Sequence, residues 1–315
     1  MAVVLSMDKG EAMKQEKEWI GHALALGTVC VWGTTFIATK VLLEHFTAVE
    51  ILLIRFVLGF TALSIACPKR LRLKDKRHEL YFAGAGLTGV LIYYLLENIA
   101  LGYSTASNIG VVVSCAPMFT AIFWAIASRE RLQLHFIIGF AIAISGIAFI
   151  SFSGTERMQI NPIGDVLALA AAVAWGIYSV LIRRLGEFGY PSIAMTRHVF
   201  LYGVVFMLPV AWKMGFSPSL DALKQPAILL TLAFLSFLAS AACFVTWNTA
   251  VKKLGAIKTS VYIYLSPVIT ILCAAIVLHE RMPARSVLGT VLVLLGLVIS
   301  ENRLPVRIPV LGKER

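Results

Sequence analysis

Glu97 is a carboxylate inside a long apolar run, with Tyr94 three residues before it and Asn98 next to it. The spacing i, i+3 and i+4 puts all three on one helix face. An ionised carboxylate in hydrocarbon is costly enough that it must face a water-filled cavity or a partner. Facing a cavity, Glu97 could take a proton or hold the cationic group of a solute. Near the end of its helix, it could instead reach lipid headgroups or pair with Lys40 or Arg55, and both readings stay open at this level. The positions 150 residues further on are Phe244, Trp247 and Asn248. Asn98 and Asn248 are candidate solute contacts, although a symmetric pair of amides also suits hydrogen bonds between helices.

Trp32 and Trp175 fall in mid-run, away from the interfacial belts where tryptophan collects, and each is followed by a glycine that lets a helix or a ligand approach. Indoles in a midplane cavity would stack on aromatic or cationic solutes; large core packing is the alternative. Tyr178, one turn past Trp175, and Trp247 join them as candidates. Pro117 and Pro267 lie deep in two further runs, where each removes a backbone donor and frees the carbonyl four residues back, at Val113 and Ile263. A kink is expected at both, with the freed carbonyl satisfied by a neighbouring helix or by cavity water. Ser114, Tyr262 and Tyr264, with Ser266 beside them, place hydroxyls near those breaks and complete the candidate set. Arg55 and Arg197 read as ties to carboxylates or exposed carbonyls, Lys258 as a charge snorkelling from the start of its run, and the pairs Glu130-Arg131 and Glu280-Arg281 as helix ends.

Catalytic and nucleotide motifs are missing from this inventory. The six histidines form no His-Glu-x-x-His, and there is neither a Gly-x-Ser-x-Gly nor a Gly-x-x-x-x-Gly-Lys-Ser/Thr loop to hold ATP. No cofactor and no metal are expected. Energy for any vectorial process would come from a gradient, with a proton or another ion as coupling partner.

The elements that carry these residues follow from composition. Of 315 residues, 59% are hydrophobic and 14% charged, and the mean hydropathy is +0.83. A soluble domain needs more polar surface than that, so a soluble enzyme is excluded and the lipid bilayer becomes the solvent. Apolar runs at about 20–43, 48–67, 79–100, 105–127, 133–152, 162–184, 191–213, 226–251, 256–278 and 283–302 are each long enough, at about 1.5 Å per residue, to cross a hydrocarbon core of about 30 Å. With a cytoplasmic N-terminus, 19 of the 28 Lys and Arg fall on the inside and 5 on the outside, which places both termini in the cytoplasm. The charge of +11 is thereby assigned to topology, and no nucleic acid is expected as a partner. The first 18 residues lack the basic-then-apolar order of a cleaved signal, so the first span is expected to direct its own insertion. The five cysteines lie in or beside apolar runs without a Cys-x-x-Cys pair and are expected to be small core residues.

The chain also repeats itself. A shift of 150 lays Asn98–Ile147 on Asn248–Leu297 without a gap, with 12 identities that include Pro117 with Pro267, Glu130-Arg131 with Glu280-Arg281, and Gly139 and Gly146 with Gly289 and Gly296. A shift of 143 matches Trp32-Gly33 with Trp175-Gly176. The expected fold is therefore an all-α membrane protein of ten transmembrane helices in two five-helix repeats. An odd number of spans per repeat inverts the second against the first, a recurrent carrier design with the solute bound where the halves meet.

The strings WGTTFIATK, LLIRFVLGF and ALGYSTASNIGVVVSCAPMFTAIFWAIASRERL, with AVKKLGAIKTSVYIYLSPVITILCAAIVLHERM in the second half, resemble the drug/metabolite transporter superfamily, EamA type. The resemblance covers nearly everything from 20 to 302 and departs from the usual pattern at Val251–Gly255, where two lysines replace a Tyr-Thr-like turn. It implies a carrier of small organic metabolites, often an exporter, with a cavity lined by spans one, three, four, six, eight and nine. The expected organisation is a cytoplasmic tail at 1–19, a first repeat at 20–152, an external linker at 153–161, a second repeat at 162–302 and a cytoplasmic tail at 303–315. The expected location is a bacterial inner membrane and the expected partner a small-molecule substrate, with oligomeric state left open. The alternative is a membrane-embedded enzyme acting on a lipid or isoprenoid, which would need clustered carboxylates or a metal at one interface.

Overall fold

The computed structural model describes residues 2–129, 134–151, 162–280 and 284–300, with side chains from residue 18 onward except at 150, 151, 286, 297 and 300. Glu130, Arg131, Arg281, the linker at 153–161 and the C-terminal tail lie outside the described residues. Among the described residues every regular element is a helix. In chain order these are α1 (Ala2–Leu42), α2 (Ala48–Ala66), α3 (His78–Tyr103), α4 (Ala106–Ser128), α5 (Leu134–Ser151), α6 (Pro162–Glu187), α7 (Ser192–Lys213), α8 (Pro226–Leu254), α9 (Ala256–Val277) and α10 (Ala284–Ser300), with one extra turn at Leu220–Leu223 before α8.

Eight of these are long and apolar enough to cross a membrane, the portion of α1 concerned being Glu18–Leu42. The apolar parts of α5 and α10 are shorter, Leu134–Phe149 and Val287–Gly296. The stretch read as an N-terminal tail continues α1 as helix.

Local chemistry sets the ends. Thr47 and Glu50 form a reciprocal capping box that starts α2: the Glu50 N–H donates to Thr47 Oγ1 (3.4 Å) and the Thr47 N–H to Glu50 Oε2 (2.8 Å). Pro226, whose missing N–H costs nothing in a first turn, opens α8. The interiors deviate at matched places. A π segment widens α3 over Gly86–Ile92 and α8 over Phe234–Ala242. Both expected kinks are breaks: α4 stops at Val113 and restarts at Ala116 with Pro117 in its first turn. In α9 a 3₁₀ segment, Val261–Leu265, precedes the restart at Ser266 with Pro267.

Helices of the first half pack on helices of the second: α1 on α8 and α9, α2 on α7, α3 and α4 on α6, and α5 on α10. Small residues allow this. A Cβ on Gly33 of α1 would sit 2.6 Å from Ile269 Cβ of α9, and one on Gly176 of α6 would sit 2.8 Å from the Phe119 backbone of α4. The glycines after Trp32 and Trp175 thus admit neighbouring helices. The interleaving puts the centre of the molecule on α1, α3, α4, α6 and α9. The cysteines divide: Cys115 and Cys243 are buried, whereas Cys30 is exposed on α1. Its side of the helix faces outward, so small size alone did not draw it into the core.

Candidate functional site

The centre is aromatic. Trp32 meets Trp175 edge-on (ring centroids 5.3 Å apart, planes at 87°), leans on Trp247 at 5.0 Å, and approaches Phe244 at 5.7 Å. Its indole N–H donates to the Ala239 carbonyl of α8 at 2.8 Å, a group within the π segment. Tyr93 tilts over Trp175 at 4.8 Å, and Tyr94 over Phe56 at 5.1 Å. Such contacts each exceed simple area burial by roughly 0.5–1.5 kcal/mol, so the cluster is a stiff wall.

A cavity opens inside it, walled by Trp32 and Thr35 of α1, Tyr94 and Glu97 of α3, Trp175 of α6 and Ser266 of α9. Val113 and Ala116 at the break in α4 also border it, so the Pro117 interruption is a wall of the cavity. Its volume of about 30 Å³ is room for about two waters, against roughly 300–1,000 Å³ for a small-molecule site. The solute-sized gap expected along the seam is therefore water-sized in this conformation, because the rings of Trp32, Tyr93 and Trp175 fill it. Of the expected spans, α8 packs its Phe244 and Trp247 behind Trp32 and does not reach the cavity.

Glu97 is 1% exposed and walls the cavity, so its carboxylate does not reach the protein surface. The Tyr93 hydroxyl, four residues back on the same helix, lies beside its carboxylate. Neither partner considered from sequence forms an ion pair with it within 4.0 Å. Lys40 donates instead to the Leu101 and Ser104 carbonyls at the end of α3. Arg55, fully buried, donates through Nε to Ser240 Oγ (2.5 Å) and through Nη2 to the Tyr94 hydroxyl (3.4 Å), with its guanidinium 4.3 Å from the Tyr94 ring centroid.

Several buried polar atoms near this cavity have no hydrogen-bond partner among the described residues: the indole N–H groups of Trp175 and Trp247, Arg55 Nη1 and Asn98 Oδ1. An unsatisfied buried group costs roughly 1–3 kcal/mol, so several around one centre call for an explanation.

The other candidates are turned elsewhere. Asn98 donates to the Ala48 carbonyl (3.2 Å), and Asn248 accepts from the Tyr178 hydroxyl and donates to Thr196 Oγ1, both at 2.9 Å. The Tyr178 ring covers Gly89. Ser114 donates to the Val111 carbonyl (2.5 Å) at the break in α4. Tyr262 meets His22 Nδ1 at 2.8 Å, away from the cavity, and Tyr264 does not border it. Tyr93 and Thr35 were missed from sequence; Tyr93 was visible as i−4 to Glu97, whereas Thr35 carried no signal. Arg197 ties α7 to the end of α2 by donating to the Cys67 and Lys69 carbonyls.

One further contact joins the two halves. Glu280, just past α9, accepts from the N–H groups of Ala106 (3.0 Å) and Ser107 (3.2 Å) and from Ser107 Oγ (2.7 Å). A carboxylate from the second half thus caps the first turn of α4, where unpaired N–H groups and the helix dipole favour negative charge.

The model of the EamA-like transporter family matches residues 19–152 and 162–301. An "Uncharacterized transporter" of Archaeoglobus fulgidus is 30% identical over 285 residues, covering 90% of this chain and 98% of the relative. A "Probable terminal-alkyne amino-acid exporter" of Streptantibioticus cattleyicolor is 29% identical, covering 88% and 91%. A "Probable amino-acid metabolite efflux pump" of Salmonella typhimurium is 25% identical, covering 88% and 93%. One solved crystal structure shares the fold at a TM-score of 0.63 and 17% identity, covering 90% of this chain and 99% of its own.

Proposed function

Because the chain belongs to the EamA-like transporter family, and so is an integral membrane protein that transports small molecules, we propose that its cargo is a zwitterionic amino acid or a closely related amphiphile with an apolar or aromatic side chain. The carrying observation is the complementary set of unspent groups around one cavity. The Glu97 carboxylate on the cavity wall lacks a cation within ion-pair reach. The Trp175 indole N–H on the same wall lacks an acceptor among the described residues, as do the Trp247 indole N–H and Arg55 Nη1 packed behind that wall. An ammonium group satisfies the first, a carboxylate the second, and the indole and phenol faces accept an apolar side chain. Two relatives bear names of amino-acid or amino-acid-metabolite exporters, and export is the direction we assign.

Transport follows the alternating-access scheme, with ten spans in two inverted repeats and both termini in the cytoplasm of a bacterial inner membrane. The doubled π segments, the doubled breaks before Pro117 and Pro267 and the inside excess of basic residues support that topology. In this scheme Glu280 lies at the outer face. Its hold on the start of α4 closes the outer path, and the contracted cavity belongs to that closed state. Loading expands the cavity as cargo replaces the water and the rings of α1, α3 and α6 part.

Proteoliposomes loaded with unlabelled phenylalanine or leucine should take up the labelled amino acid by saturable counterflow. The decarboxylated amine and the deaminated acid, each satisfying one half of the site, should exchange poorly. Equal exchange of amine and zwitterion would refute a carboxylate-binding half.

A further inference from the structure

We propose that the crevice between the N-terminal half of the α1 span and the start of α9 binds the headgroup of an anionic phospholipid. The phosphate sits among Lys258, His22 and Tyr262, and an acyl chain runs up the outer face of α9. The crevice has a volume of about 410 Å³ and is bordered by His22 and Leu26 of α1 and by Lys258, Val261, Tyr262 and Leu265 of α9. The two helices press together at Gly33, against Ile269 and Thr270, and meet again at the His22–Tyr262 contact on the rim of the crevice.

Its polar end is built for an anion. His22 Nδ1 and the Tyr262 hydroxyl meet at 2.8 Å, which fixes both rings at the rim; in the tautomer in which Tyr262 donates to Nδ1, the other imidazole nitrogen carries the hydrogen and is a donor. Lys258 is exposed and forms no ion pair among the described residues. Glu18, one turn before His22, does not border the crevice and pairs with neither. Lys252 and Lys253 at the end of α8 add positive charge at the same level.

Its apolar end is built for a chain. Leu265, Val268, Leu272 and Ile276 are all exposed and recur along one side of α9, forming a lipid-facing column that starts at the crevice. Depth is marked by Trp19, 67% exposed and one turn before His22, since exposed tryptophan settles at the headgroup level. Basic pockets between membrane helices at that level select anionic headgroups over neutral ones.

The full chain in mixed micelles, supplied with phosphatidylglycerol or with phosphatidylcholine of the same acyl chains, tests the site by thermal unfolding. Native mass spectrometry of the same samples counts the lipids retained. Phosphatidylglycerol should raise Tm by several degrees more than phosphatidylcholine in the wild type and in Lys224→Gln, a control at another loop. Lys258→Gln should lose that difference and one retained lipid, and Lys258→Arg should recover both. An undiminished difference in Lys258→Gln overturns the proposal, as does the absence of any difference in the wild type. Equal stabilisation by glycerol 3-phosphate, which has no chain, also overturns it by showing a free-anion site.

Discussion

Glu280 offers a quantitative test of how the cavity is closed. Its carboxylate accepts three hydrogen bonds from Ala106 and Ser107, at about 1 kcal/mol net each, a total near 3 kcal/mol. If these bonds exist only while the outer path is shut, Glu280→Ala shifts the equilibrium toward the outward-open state by roughly 100-fold, at about 1.4 kcal/mol per tenfold. Glu280→Gln, which keeps one acceptor oxygen, should shift it by roughly tenfold on the same scale. The readout is a single cysteine, Ser266→Cys on the cavity wall, in a chain whose five native cysteines are replaced. A membrane-impermeant maleimide added outside should label it slowly with Glu280 present, and progressively faster in the Gln and Ala variants. Identical labelling rates in all three, with folding verified by elution and Tm, would refute the assignment of Glu280 as an outer tie.

Three further outcomes follow from the packing. Asn248→Leu breaks the Tyr178–Asn248–Thr196 chain and should lower stability by about 0.6–2 kcal/mol while leaving the transport KM unchanged, because the amide serves helix contact; a raised KM with unchanged Tm would give it a binding role. Gly33→Leu, forced against Ile269, should cost about 1–3 kcal/mol or more and separate α1 from α9, seen as a fall in Tm and in exchange rate together. Trp32→Ala removes the ring at the centre of the cluster and its bond to Ala239 and should cost about 3–5 kcal/mol, whereas Trp32→Phe should fold and exchange an aromatic amino acid with weaker affinity.

Much of the centre was legible because membrane sequences punish polarity. Glu97, Trp32 and Trp175 stood out as a charge and indoles at depths where neither belongs without a cavity or partner, and they wall or border one. Pro117 and Pro267 announced the breaks, since a missing N–H in a helix interior has few remedies. The side chains around the second break were not legible. An α-helical register puts Tyr262 and Ser266 on one face, but a 3₁₀ segment turns about 120° per residue in place of about 100°, and across Val261–Leu265 the face rotates by roughly a quarter turn. Ile263 and Ser266 therefore meet the cavity, and Tyr262 swings to His22. The π segments of α3 and α8 were equally hidden, because the extra residue is set by what packs against the helix, as where Tyr178 covers Gly89. Residues inserted by such segments shift every face that follows relative to the face before them, whereas Tyr93 and Glu97 both follow the segment and keep their i, i+4 relation.

The most direct test of the central claim is binding of a zwitterionic amino acid to wild-type protein and to Glu97→Gln, measured by calorimetry and by counterflow. Loss of a charge-assisted contact, about 1.5–3 kcal/mol, predicts affinity weakened by roughly 10- to 150-fold in the variant, with the deaminated acid affected little. An amino acid bound and exchanged equally well by both proteins would contradict the account, because Glu97 would then not hold the ammonium group.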